Sequence, residues 1–189
     1  DRAENITSCI AFIAWLAAAT KQIKLGTGTV NMPNAHPAAI AASIAMLLAE
    51  YSALTSEQPS VQVFATDLDH HAVAAARDGQ YNEADVADLS EDRLRRFFHR
   101  EAEGYRVRRE LRELVLFAHH NLIKDPPFSQ LDLITCRNLL IYLNRSIQDR
   151  VLETFHFALR PGGYLFLGGS ETPEDSNDLF LRFDGNAHI

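Results

Sequence analysis

VQVFATD, residues 61–67, is the stretch around which the rest of the chain arranges itself. Its apolar run is nearly continuous, as in a strand covered on both faces, and it ends on a carboxylate. The residues that follow, DLDHHAVAAARDG (67–79), open with acids that suit a helix N-terminus and close on Gly79, a helix stop. Upstream, PAAIAASIAMLLAEY (37–51) has proline at a plausible first helical position and apolar residues at helical spacing. Before it lies a β-branched run, 23–30, that reads as a strand with Gly26 and Gly28 near its end. Strand, helix, buried strand and helix in succession predict a parallel sheet with helical crossovers.

The same alternation extends outward. ITSCIAFIAWLAAAT (6–20) is apolar on nearly all faces and reads as a buried helix. SEDRLRRFF (90–98) reads as a short helix begun at Ser90, and GYRVRRELRELVL (104–116) as a short strand, a turn and a longer strand ending in LVLFAHHN. LDLITC (131–136) is another buried strand, RNLLIYL a short helical or irregular piece, and 146–159 a helix. RPGG (160–163) reads as a turn feeding the last strand, YLFLGG. Strands near 23–30, 61–66, 114–119, 131–135 and 163–168 then make a doubly wound, mostly parallel α/β sheet with right-handed crossovers, in one domain over residues 1–189.

Composition narrows the function. With 189 residues, 47% hydrophobic and 23% charged, the chain is an ordinary globular one, which excludes a low-complexity tail and two domains of full size. A net charge of −7 provides no broad basic face, so nucleic acid is not expected as a partner. The two cysteines, Cys9 and Cys136, lie far apart without a C-x-x-C, the usage of reduced thiols in the cytoplasm. The apolar stretch 10–19 is about half the roughly twenty residues a membrane span needs, and no basic segment precedes it. A cytoplasmic location without membrane insertion is expected, and nothing in the sequence speaks to oligomeric state.

In a doubly wound sheet, ligands sit beyond the carboxyl ends of the strands, where strand order reverses. Gly26-Thr27-Gly28 lets backbone approach a ligand there, although without a third glycine it also reads as packing or a strand bend. Asp67 suits the two hydroxyls of a ribose, or a helix cap, with Asp69 the better capping acid. His70-His71 and His119-His120 are adjacent pairs whose rings diverge, so no metal site is expected. TCRNLLIYLN (135–144) gathers a thiol, a guanidinium, an amide and a phenol at a sheet edge. Cys136 has no base near it in sequence and reads as packing with Leu139, whereas Asn138 and Tyr142 suit a polar ligand.

From Ser43 onward the strings SIAMLLAEYSAL, VQVFATDLD, LSEDRLRRFF, YRVRRELRELVLFAHHNLIKDPPF, LDLITCRNLLIYL and FHFALRPGGYLFLGGSET closely resemble the CheR family of chemoreceptor glutamate methyltransferases, which use S-adenosylmethionine. The resemblance implies the Rossmann-like methyltransferase sheet, here incomplete at its C-terminal edge. It implies that Asp67 binds the cofactor ribose and that Asn121 and Leu122 lie against the cofactor. Cys136, Arg137, Asn138 and Tyr142 then stand beside its methionine end and methyl group, with Tyr142 orienting the acceptor. The implied partner is a chemoreceptor-type protein. Its glutamates, with a pKa near ~4.3, are ionised at neutral pH and need no general base.

AFIAWLAAATKQIKLGTGTVNMPNAHPAAIAA (11–42) instead resembles a helix, strand and helix start of the luciferase-like flavin monooxygenases, with the crossover inside the helix at 37–51. That barrel needs about 250 residues, so the segment brings no flavin chemistry, but it can supply a strand and glycine turn to complete the sheet. GTGTVNMPNAHP replaces the family's first-strand loop and lacks its acidic pair, and no counterpart of the family's helical N-terminal domain is present. Three expectations follow in order: a protein-glutamate O-methyltransferase with impaired turnover, a noncatalytic fusion that binds cofactor or receptor, and a flavin or nicotinamide oxidoreductase fragment.

Overall fold

The structure, a computed structural model, describes residues 22–27, 37–56, 59–137, 139–168, 171 and 179–182. The expected helix at 6–20, together with Gly28, Asn138, Cys9 and His36, lies outside the described residues. Five strands form the main sheet: β1 (Gln22–Thr27), β2 (Ser60–Asp67), β6 (Val115–His119), β7 (Leu131–Cys136) and β8 (Leu159–Leu167). Their order is β6-β2-β1-β7-β8 and every pairing is parallel. The chain thus moves outward from β1 to β2 and β6, then returns to the other side of β1 for β7 and β8. Strand order reverses between β1 and β7, the place where such sheets open a crevice.

Each face of the sheet has its own core. Val63, Leu133 and Phe166 pack with Ile44, Met46 and Leu48 of α1 (Pro37–Leu54). Ile134, Cys136, Leu165 and Leu167 pack on the other face with Val151, Leu152 and Phe155 of α5 (Arg145–Ala158). Burial on both faces is what the uninterrupted apolar run LDLITC requires, and every residue of β7 is buried. No helix among the described residues is long and apolar enough to cross a membrane.

The helix ends follow the sequence. α2 (His70–Asp78) starts where the Asp69 carboxylate accepts the His71 N–H at 2.8 Å and ends at Gly79, whose φ of 66° is left-handed. Asn144 caps α5 in the same way through the Ile147 N–H. Caps of this kind contribute about 1 kcal/mol each.

Two expectations need correction. Strand and helix do not simply alternate between β2 and β6, because a second, antiparallel sheet is inserted there. It consists of β3 (Gln80–Tyr81), β4 (Phe98–Glu101) and β5 (Gly104–Val107), in the order β3-β5-β4. The helix expected over 90–98 is α3 (Glu91–Phe97), and Phe98 already pairs with Val107 in the hairpin. A one-turn helix, α4 (Arg109–Arg112), connects this insert to β6. The insert is tied to α1 by Arg93, whose guanidinium donates twice to Glu50 at 2.8 and 2.7 Å, and by the Tyr81 hydroxyl on the Ala38 carbonyl. The second correction concerns Arg160–Gly163, which belongs to β8 rather than to a turn. Its register against β7 shifts between Leu131 and Leu133, and Gly162 absorbs the irregularity with a φ of 78°.

Candidate active site

Three strand ends converge at the reversal point. β1 runs between β2 and β7, with Gly26 facing Phe64 on one side and Ile134 on the other. Asp67 lies two residues beyond the Ala65–Thr27 pair, and Cys136 one residue beyond the Thr135–Thr27 pair, so they flank the exit of β1. Gly28 and Asn138, both expected at this edge, lie outside the described residues.

Asp67 is half-buried and its Oδ1 accepts the Asp69 N–H at 2.9 Å, while Asp69 itself caps α2. The capping role therefore falls on Asp69, and among the described residues nothing bonds Asp67 Oδ2. The Asp67 carbonyl accepts the His120 N–H at 3.0 Å, which fixes the segment after β6 beside it. In that segment the Asn121 side chain accepts the Ile123 N–H, its N–H donates to Asp125, and Leu122 packs into the core under α5. Leu122, Phe64, Thr66, Phe128, Ile134 and Phe155 line an apolar cavity of about 40 Å³. That volume suits a water-sized guest rather than a nucleoside.

Cys136 is fully buried, and burial, followed by the nearby Glu171 charge, pushes its thiol far above the ordinary range. It packs as a neutral side chain and supplies no thiolate nucleophile. Arg137 stacks its guanidinium over Phe166, 5.6 Å from the ring centre, and its buried Nε has no hydrogen-bond partner among the described residues. Tyr142 ends a 3-10 turn, Leu140–Tyr142, and is 69% exposed, so its hydroxyl faces solvent at the rim. The structure thus sets Asp67 and Cys136 beside the exit of β1, and Tyr142 on the exposed end of the turn Leu140–Tyr142.

One histidine from each adjacent pair makes a contact that sequence did not suggest. His70 and His119 stack face to face, ring centres 3.7 Å apart and 4° from parallel, directly beside Asp67 in the β2–β6 register. Among the described residues no group of three or more His, Cys, Asp and Glu side chains is placed to hold a metal.

Residues 41–189 match the family described as CheR methyltransferase, SAM binding domain. The chain belongs to this family. The domain is thus one that binds S-adenosylmethionine. Residues 2–49 also match luciferase-like monooxygenase, overlapping the CheR match within α1. An uncharacterized 104.1 kDa protein of Rhodobacter capsulatus is 42% identical over 73% of this chain and 14% of its own length. Chemotaxis protein methyltransferase Cher2 of Pseudomonas putida is 35% identical over 68% of this chain and 49% of its own. A glycopeptide N-methyltransferase, MtfA, solved with sinefungin, is 13% identical with a TM-score of 0.47, covering 85% of this chain and 52% of its own. The chain thus spans about half or less of the length of these curated relatives.

Two polar groups at this CheR site were not singled out by sequence. Glu171, in the string GGSET, is 4% exposed and bonds the turn after β7, and Gln148 of α5 donates to the carbonyls of Leu140 and Leu143 at 2.9 Å each. The signal available for Glu171 was an acid just past a strand-ending Gly-Gly. Its partners stand some thirty residues away, at |i−j| of 32 and 31, beyond local patterning.

Proposed function

We propose that this chain transfers a methyl group from S-adenosylmethionine to glutamate side chains of chemoreceptor-type proteins in the cytoplasm. The observation that carries the reading is the reversal of strand order at β1, with Asp67 on one side and the Cys136–Tyr142 segment on the other. The name of the Pseudomonas putida relative, a chemotaxis protein methyltransferase, supports the reaction, and in this reading glutamate-bearing receptor segments are the substrate class. Two groups support the reading: Asp67 Oδ2, unbonded among the described residues, is an acceptor for ribose hydroxyls, and Arg137 Nε, also without a partner among the described residues, is a donor for the acceptor's carboxylate. Bound there, S-adenosylmethionine supplies an electrophilic methyl group on a sulfonium.

In this reading Asp67 anchors the ribose, Asn121 and Leu122 border the cofactor, and Gly26 and Gly28 let β1 and its loop approach it. Cys136 and Asn138 lie along the methionine end, while Arg137 and Tyr142 hold the acceptor carboxylate. That carboxylate is already ionised at neutral pH, so catalysis rests on alignment rather than on a base. The product is a methyl ester, one negative charge fewer on the receptor.

The segment up to the crossover in α1, including β1, derives in this reading from a luciferase-like sequence and completes the sheet without flavin chemistry. One observation favours a second reading, a binder without turnover: the loop after β1 falls inside the luciferase-like match and lacks the acidic pair of the family pattern. Calorimetric titration with S-adenosylhomocysteine tests the site, since an absence of heat at high micromolar ligand overturns the cofactor assignment. Labelled methyl transfer to a receptor fragment then separates the two readings, because binding without transfer leaves the second.

A further inference from the structure

The turn that follows β7 is held from two sides. Its N–H groups face the end of β8, where one oxygen of the Glu171 carboxylate accepts from Leu139 at 2.6 Å and from Leu140 at 2.8 Å. The other oxygen accepts the Gly168 N–H at 2.9 Å, and the Glu171 N–H donates back to the Gly168 carbonyl at 2.9 Å. Its carbonyls face α5, where Gln148 takes those of Leu140 and Leu143. Hydrogen bonds from backbone amides to a buried carboxylate are short and strong, and removing the acceptor takes the partner from all three of these donors.

We propose that Glu171 is a positioning residue for methyl transfer, fixing the Leu139–Tyr142 turn, and through it Tyr142 and Arg137, at the carboxyl edge of the sheet. The inference rests on the methyltransferase reading above. An acid serves here better than an amide because three N–H donors converge on it and a carboxylate presents only acceptors. Its carboxylate bonds backbone N–H groups of the turn and of Gly168, so it acts through the turn. Exposure of Tyr142 gives the turn its importance: a side chain at the rim has little packing of its own to orient it, and its direction is set by the backbone that carries it. A displacement of about 1 Å in such a group lowers turnover by about a hundredfold.

The test compares the full chain with Glu171→Gln and Glu171→Ala. Glutamine keeps an acceptor for Leu139 and Leu140 and opposes only Gly168, so it is the variant that preserves the fold. Amide hydrogen exchange of a peptide covering 139–143 should accelerate more than about tenfold in the alanine variant and less in the glutamine one. Exchange of β7 should stay unchanged in both. Methyl transfer to a receptor fragment should lose about thirtyfold or more in kcat for alanine, with KM for the fragment within about threefold and partial recovery in glutamine. Unchanged exchange at 139–143, or faster exchange with unaltered kcat, overturns the proposal. An unmutated chain that neither binds S-adenosylhomocysteine nor transfers methyl overturns the functional reading instead, and exchange still decides whether Glu171 holds the turn.

Discussion

At the scale of single residues, the site is built from side chains whose tasks are set by how many of their atoms are already engaged. Asp67 has one oxygen on the Asp69 N–H, and Asp69 does the capping. Asp67→Ala should therefore leave α2 intact and weaken S-adenosylhomocysteine by about tenfold or more, the worth of hydrogen bonds to a charged acceptor. Calorimetry reads this, and unchanged affinity removes Asp67 from the site. Cys136 and Tyr81 carry a different consequence. Burial raises both, the thiol from its ordinary 9.0 and the phenol from 10.0, with the Glu171 and Asp85 charges adding to it. Each stays protonated in the folded chain while the unfolded chain ionises. The stability they confer is complete below those ordinary values and is lost as pH rises above them, by up to about 1.4 kcal/mol per pH unit for each group. Urea unfolding should show this decline from about pH 9. Cys136→Ala should lower the neutral plateau yet flatten the decline between the two onsets, and an identical slope in that variant sinks the attribution.

At the scale of elements, the inserted antiparallel sheet depends on one glycine. Gly104 adopts a φ of 129°, and a Cβ there would run into the Tyr81 carbonyl oxygen, where β3 pairs with β5. Gly104→Ala should cost about 2–3 kcal/mol, read as a lower thermal midpoint together with faster exchange over 98–107. A variant as stable as the parent contradicts that account. This insert is also where reading from sequence fell short. The parallel strands and their helices were legible because burial on both faces leaves apolar runs, and because Asp69, Gly79 and Ser90 mark helix ends. The short strand expected at the start of 104–116 is β5, but FHRE hid β4, because that strand is four residues long and mostly charged and its order comes from cross-strand pairs rather than from apolar periodicity. The site was legible to the same degree. Asp67 and Cys136 follow recognisable strands and could be placed at their ends, whereas Glu171 and Gln148 act on backbone groups that only the folded turn brings near.

For the whole molecule, the decisive strand is the one that lies outside the CheR match. That match begins at residue 41, yet β1, residues 22–27, is the middle strand of five and the only link between β2 and β7 among the described residues. It pairs along its whole length with Ser60–Ala65 and through Leu25–Thr27 with Leu133–Thr135. Without it the sheet divides into β6-β2 and β7-β8, each with a row of backbone N–H and C=O groups left unpaired in a buried place, at a cost of about 1–3 kcal/mol for each group. Neither pair of parallel strands is stable alone, and a domain of this size has only about 5–15 kcal/mol to lose. A chain beginning at Pro37 keeps every described element except β1. It should show no cooperative urea transition, should bind a dye that reports exposed apolar surface, and should give no heat with S-adenosylhomocysteine, whereas the full chain unfolds in a single step. A cooperative transition of similar midpoint in the shortened chain would mean that the sheet closes without β1, and with it the reversal point that defines the site would have to be redrawn.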